Sequence, residues 1–186
     1  MFDQIRNIHA KSYQENRTLS FEENQIISQL TQESIIGYNK AFKDSLKISD
    51  QTIRLGVYGI IVHKDEVLMV KTQSGSKSIY NFPGGGVDED ESLAQALIRE
   101  CQEEINTVVQ VKDCLYTAKS LYKHEDFPSF YMFNIYYDIE VKDKEEFYQK
   151  KLAEDNKWFP INDLPRDEML PIDIEFVESY FNICNS

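Results

Sequence analysis

Apolar and polar residues recur with two different periods along this chain, and the change of period marks out its elements. Thr52 to His63 and Glu66 to Thr72 are β-branched and apolar, and His63-Lys64-Asp65 between them predicts a hairpin turn. Val108 to Ala118 and Ser129 to Val141 read as further strands, the second dense in Phe130, Tyr131, Phe133, Tyr136 and Tyr137. Helical spacing takes over after Ser92, which forms a capping-box pair with Gln95, so a helix is expected from Leu93. At about 100° per residue, Leu93, Leu97, Cys101, Ala94, Ile105 and Ile98 fill an arc of about 140°, the expected buried face.

The first fifty residues carry a helical pattern of their own. Ile5, Ile8 and Tyr13 suggest a short amphipathic segment, and Ser20-Phe21-Glu22-Glu23 is a second capping box ahead of Ile26, Ile27 and Leu30. A third segment runs from Gln32 to Leu46 with Gly37 interrupting it, and Lys47-Ile48-Ser49-Asp50-Gln51 reads as a linker. The expected organisation is a helical extension over residues 1–50 and one larger domain over 51–186. The extension has three readings: packing against the domain, a homodimer interface, or a lid that shapes substrate choice. The lysine and glutamate run from Lys142 to Lys151 reads as a solvated loop or short helix.

Composition fits this layout. The 186 residues are 41% hydrophobic and 28% charged, enough to bury one sizeable core. Cys101, Cys114 and Cys184 are odd in number and far apart, which argues against a disulfide framework and for a reducing compartment. No apolar run approaches the roughly 18 residues of a membrane span, and Met1-Phe2-Asp3-Gln4 lacks a signal-like start. A cytoplasmic protein with no membrane partner is expected. The net charge of −12 repels polyanions and disfavours nucleic acid as a partner. A small phosphorylated substrate meets the same repulsion unless bound divalent ions supply local positive charge. Arg54, Lys71 and Lys77 are candidates to touch phosphates, with plain surface roles as the alternative.

The chemistry concentrates after a glycine-rich turn, Pro83-Gly84-Gly85-Gly86. From Gly85 the chain runs five residues to Glu91, then seven to Arg99-Glu100-Cys101-Gln102-Glu103-Glu104-Ile105. On the helical wheel Glu100, Glu103 and Glu104 span about 100° and border the apolar stripe, which places them at the lip of a groove. Like charges three and four apart weaken a helix, and a bound cation would reverse that sign. Mg2+ favours one or two carboxylates together with substrate phosphates and waters. The combination points to metal-assisted attack on a phosphate. An isolated Glu-x-x-Glu-Glu is usually a solvated surface; here the turn, Glu91 and Arg99 stand at fixed distances from it.

This stretch resembles the Nudix box: Gly, five residues, Glu, seven residues, Arg-Glu-apolar-any-Glu-Glu-any-Gly-apolar. Asn106 stands in place of its Gly and Thr107 in place of its aliphatic residue. Asn is the next most tolerant residue of the left-handed conformation that ends such a helix. The run from Asn81 to Glu91 is similar to the family's lead-in, with Asp90 in place of a Gly. Trp158-Phe159-Pro160 and Asp163-Leu164-Pro165 resemble the strand and turn before its closing helix, here about Ile172 to Phe181.

The resemblance implies an α+β fold, an α/β/α sandwich with a mixed β-sheet between helices. It also implies Mg2+ or Mn2+ and hydrolysis of a nucleoside diphosphate linked to another moiety. By that resemblance Glu100, Glu103 and Glu104 are metal ligands, joined by the carbonyl of Gly85 or a neighbouring glycine. Arg99 pairs with Glu91 or orients a metal-binding Glu, or the two form a salt bridge that only fixes the loop. The general base is Glu100 within the box or Glu154 downstream, with Asp155 beside it. Cys101 reads as a small hydrophobe. The resemblance leaves the nucleotide open: Tyr122, Lys123, His124, Glu125 and Pro128 make no clear subfamily marker, and Tyr58, Tyr80, Phe130 and Tyr131 suit either base stacking or the core. Two functions follow, a metal-dependent pyrophosphohydrolase or a nucleotide-binding module without turnover.

Overall fold

Both edges of the strand Thr52–Ile60 (β1) find partners, which makes it the hub of the fold. In the computed structural model, residues 52–88, 91–118, 121–123, 130–149, 153 and 155–181 are described, with residues 4, 7–8, 11, 15, 20, 22–27, 29–30 and 32–33 of the first fifty. The strands Val62–His63 (β2), Glu66–Ser74 (β3), Lys77–Asn81 (β4) and Gly84–Gly86 (β5) lead to the helix Leu93–Ile105 (α1). There follow Val109–Thr117 (β6), Tyr122–Lys123 (β7), Phe130–Val141 (β8), the short helix Lys144–Gln149 (α2), Asn156–Pro160 (β9) and the helix Pro171–Tyr180 (α3).

One sheet runs β5-β1-β8-β6, with β7 also on β8. β1 and β8 are parallel from Thr52 opposite Phe130 to Ile60 opposite Asp138, whereas β5 and β6 run antiparallel to their neighbours. β2-β3-β4 form a second sheet, with β9 also on β3. The continuous strand expected from Thr52 to His63 breaks at Ile61, where the chain passes from one sheet to the other and the Ile61 carbonyl accepts from the Leu68 N–H at 3.0 Å. The expected hairpin turn forms, with Lys64 and Asp65 both left-handed at φ 49° and 63° as a two-residue hairpin loop requires.

The two-residue period of β1 divides the core. Leu55 and Val57 join Leu93, Leu97 and Cys101 of α1, with Ile135 and Ile139 of β8. Tyr58 and Ile60 join Phe82, Tyr116 and Tyr136, with Phe176 and Val177 of α3. The mixed sheet is therefore covered by a helix on each face, as the α+β sandwich expectation requires. α2 arises in the Lys142 to Lys151 run and buries Phe147 against the α1 side.

α1 begins at Leu93 as expected. Ser92 Oγ accepts from the Gln95 N–H at 3.3 Å and Gln95 Oε1 accepts from the Ser92 N–H at 2.8 Å. It ends on Asn106 in the left-handed region, φ 47° and ψ 50°. Its buried face differs from the expected arc: Leu93, Ala96, Leu97, Cys101 and Ile105 are buried, while Ala94 is exposed and Ile98 is 37% exposed. With Ala96 inside, that face spans about 180°, and Glu100 and Glu104 fall within it instead of along its border.

In the first fifty residues the second capping box forms, with Glu23 N–H donating to Ser20 Oγ at 3.2 Å and Ser20 N–H to Glu23 Oε2 at 2.8 Å. Residues 22–27, 29–30 and 32–33 are helical, Ile27 is buried and Ile26 is half-exposed. Ile5, Tyr13, Gly37, the rest of the third segment, the linker, Glu154 and Cys184 lie outside the described residues.

Candidate active site

The site is built where β5 delivers the glycine turn onto α1. Gly84 sits at φ 145°, and a Cβ there would strike the Val57 carbonyl oxygen of the adjacent strand, so both conformation and space demand glycine. At Gly85 the crowding comes from the site itself, since a Cβ would lie 2.5 Å from Glu100 Oε1. The missing side chain is what lets a carboxylate rest on the turn's backbone.

Arg99 joins the turn to the helix. Its guanidinium donates to Glu91 at 2.6 and 3.2 Å, to Glu100 Oε1 at 2.8 Å and to the Gly86 carbonyl at 3.1 Å. Glu91 Oε1 also accepts from the Asp88 N–H at 2.9 Å, which closes the loop on itself. Arg99 thus touches both Glu91 and the box carboxylate Glu100. The bond to Arg99, partly offset by burial, holds the Glu91 carboxyl below its ordinary pKa.

Glu104 is the least ordinary of the acids. Its Oε2 accepts from the Gly84 N–H at 2.9 Å, yet burial, with repulsion from Glu100 and Glu103 added, pushes its pKa up to about 7. The Glu100 side chain is 16% exposed. That of Glu103 is 60% exposed and lies 3.6 Å from Arg99. Glu100, Glu104, Gly84 and Gly85 line a cavity of about 480 Å³ whose other walls include Arg54, Tyr58, Thr72, Ile79, Asn81, Met132 and Leu170.

As the side chains stand, no three acidic, His or Cys groups among the described residues encircle a point where an ion would sit. The donors gathered at the cavity are two carboxylates beside glycine backbone, hard oxygen ligands that suit an ion keeping several waters. Burial is the main cause of the rise at Glu104, and repulsion from Glu100 and Glu103 adds to it, a crowding of like charge that a divalent cation would relieve.

Other sequence candidates fall in different places. Arg54 lines the cavity with its guanidinium against Gly86, whereas Lys71 pairs with Glu168 at 3.1 Å and Lys77 is not among the lining residues. Asp155 is exposed in the turn before β9. Tyr58 and Tyr80 belong to the core, although Tyr58 also reaches the cavity. Cys101 is fully buried, and burial pushes its thiol up to about 12, which suits a packing role.

Asn81 and Asn156 were not singled out by sequence. Asn156 opens β9 and donates to the Glu104 carbonyl at 3.0 Å, pinning the last turn of α1. Asn81 lines the cavity from the end of β4. The available signal for Asn81 was a polar residue between Tyr80 and Phe82 in an otherwise apolar stretch.

A NUDIX domain family model matches residues 52–180. An NAD-capped RNA hydrolase NudC of Pseudomonas putida is 28% identical over 106 residues, which is 57% of this chain but only 36% of that protein. Among solved structures, a NUDIX hydrolase from Nitrosomonas europaea superposes with a TM-score of 0.54 at 19% identity, covering 70% of this chain and 90% of that one. A MutT protein from Methanosarcina mazei Go1 gives 0.53 at 21% identity over 71% and 95%. At these identities the structural likeness speaks for the fold.

Proposed function

The chain belongs to the NUDIX family of pyrophosphohydrolases, and from that premise we propose that it is a metal-dependent hydrolase cleaving the phosphoanhydride bond of a small nucleoside diphosphate-linked substrate. The observation that carries the reading is the burial of Glu100 and Glu104 in the apolar face of α1, against the Gly84-Gly85 turn and open to one cavity. Two partly buried carboxylates side by side, of which only Glu100 is bonded to Arg99, are costly without a further cation, and a helix selected for packing alone would carry apolar residues there.

In this reading Glu100, Glu104 and the carbonyl of Gly85 or a neighbouring glycine hold Mg2+ or Mn2+, with Glu103 joining from the rim. When bound, such ions neutralise the anhydride and lower the pKa of an attacking water. Arg99 and Glu91 brace the loop and fix the Glu100 carboxylate. Arg54, on the cavity wall, meets the phosphates. Glu100 is the first choice of general base and Glu154 the second. Three scattered cysteines fit a cytoplasmic setting, and the N-terminal extension is read as packing or dimerisation.

A substrate panel tests the assignment: nucleoside triphosphates, ADP-ribose, NAD and NADH, dinucleoside polyphosphates and nucleotide sugars with Mg2+ or Mn2+, read by phosphate or nucleotide release. NAD-capped RNA joins the panel because the Pseudomonas relative is named for it. Metal-dependent release from at least one compound is expected, and Glu103→Gln should abolish it while leaving the thermal melt intact. Wild-type turnover in that variant would remove Glu103 from the ligand set. Tight binding with no turnover across the panel would make the protein a nucleotide-binding module instead.

A further inference from the structure

Glu104 is held from two directions, one from each sheet. Its side chain accepts the N–H of Gly84, on β5 of the first sheet, at 2.9 Å. Its main-chain carbonyl accepts from Asn156 Nδ2, on β9 of the second sheet, at 3.0 Å. Glu104 stands in the last turn of α1, where carbonyls have no partner within the helix, so this one depends on a donor from outside. A carbonyl can only accept, and Asn156 must therefore turn its NH2 group toward it.

The strand around Asn156 gives that donor a firm base. Asn156 is 8% exposed and lies opposite Val70 of β3, and its own N–H donates to the Ala153 carbonyl at 2.9 Å. The Lys71 N–H donates to the Asp155 carbonyl at 2.9 Å, which ties the preceding residue to β3 as well. Asparagine is disfavoured within strands, and burying its amide is costly without a partner. Trp158, two residues on and facing the same way, packs against the α1 cluster, so an apolar side chain would serve at 156 if packing alone mattered there.

We propose that Asn156 is a positioning residue for the metal site: by holding the Glu104 main chain against β9 it sets where the Glu104 carboxylate stands beside the Gly84-Gly85 turn, and so raises the affinity for a divalent cation. This rests on reading Glu104 as a ligand of Mg2+ or Mn2+, but it concerns ion binding and needs no substrate. Without the bond from Asn156, the carboxylate keeps only its contact to Gly84 while the helix end behind it is free to shift. Groups that orient a ligand without touching the ion contribute about ten- to a hundredfold in affinity.

Mn2+ alone is the probe, titrated into the intact protein by calorimetry and by electron paramagnetic resonance. Asn156→Leu, which keeps the volume and removes the donor, and the smaller Asn156→Ala should each weaken Mn2+ binding by about ten- to a hundredfold. Asn156→Gln, which keeps an amide donor, should bind within about fivefold of wild type. Val177→Ala, which opens the core on the opposite face of the sheet, should lower the melting temperature yet leave Mn2+ affinity within about twofold. In the metal-free protein the Gly84 amide proton should move upfield in Asn156→Leu, reporting a weaker bond to Glu104, and stay in place in Val177→Ala.

Unchanged Mn2+ affinity in Asn156→Leu and Asn156→Ala, or a glutamine variant no better than leucine, would overturn the proposal. An equal loss in Val177→Ala would overturn it too, by tracing the effect to stability. Wild-type protein that binds no Mn2+ would remove the metal site and this role together. Wild-type protein that binds Mn2+ with the expected variant pattern, yet turns over nothing on the substrate panel, would uphold the role of Asn156 and remove only the hydrolytic reading.

Discussion

Two carboxylic acids are buried on opposite sides of the central sheet, and both are pushed up to about 7, yet they sit in opposite kinds of surroundings. Glu104 faces a cavity, accepts the Gly84 N–H, and lies beside Glu100 and Glu103. Asp173, 1% exposed in the first turn of α3, accepts from the Tyr136 hydroxyl at 2.7 Å. Asn134 Nδ2 lies 3.5 Å away, while Asp173 Oδ2 has no partner among the described residues. Burial raises both acids, but like-charge neighbours add to the rise only at Glu104, whereas hydrogen bonds from Tyr136 and Asn134 oppose it at Asp173. A perturbed acid is therefore a poor guide to a site by itself. The informative feature is repulsion that an exchangeable ion could relieve, next to space for a ligand.

The sharpest way to break the comparison is to neutralise each acid in turn. Glu104→Gln should lower metal-dependent turnover by about a thousandfold or more, equivalent to about 4 kcal/mol in the barrier, with an unchanged or higher melting temperature. Asp173→Asn should leave turnover within about threefold. A similar loss of activity in both variants would erase the distinction.

The acids should also differ in their pH signature. Asp173 titrates near 3.8 when unfolded and about 7 when folded, so between those values the folded state binds the extra proton. Its stabilising contribution is complete below about 4, declines as pH rises and is gone above about 7. The full swing is at most about 4 kcal/mol. Glu104 slopes the same way over the window from 4.5 to about 7. Melting from pH 4 to 8 should show a slope that Asp173→Asn reduces. Saturating Mn2+ should flatten the Glu104 share and leave the Asp173 share; a slope wholly removed by metal would contradict this division.

Two smaller perturbations test the scaffold of the first site. Gly85→Ala must displace the Glu100 carboxylate, so turnover should fall by about ten- to a hundredfold, with the melt lowered by only a few degrees. Loss of fold in place of loss of rate would show that the turn is needed for folding before it is needed for chemistry. Asn106→Gly should stabilise the protein by a few tenths to about 1 kcal/mol, because glycine holds the left-handed cap without strain. Asn106→Ala should cost about 1 kcal/mol in the same thermal melt.

Much of the first region was legible because its determinants are local. A capping box, a left-handed cap and a hairpin turn depend on residues two to four apart, and Ser92, Asn106 and Lys64-Asp65 behave as their types predict. The orientation of α1 was less legible. Ala94 and Ala96 are alike in sequence, and only the neighbouring strands decide which is buried, so the expected arc missed the inclusion of Glu100 and Glu104. The second region gave no local signal. Asn134, Tyr136 and Asp173 meet across β8 and α3 from positions nearly forty residues apart.

The sequence by itself determined most of the elements, the spacing of the acidic residues from the glycine turn, and hence the family. Backbone propensity and short-range hydrogen bonds act along the chain and can be read from it. Only the tertiary structure decided that Glu100 and Glu104 are drawn out of water beside one cavity and that Arg99 bridges turn and helix. Desolvation and electrostatic repulsion depend on what other elements bring near, and proximity between distant residues is a property of the packed fold.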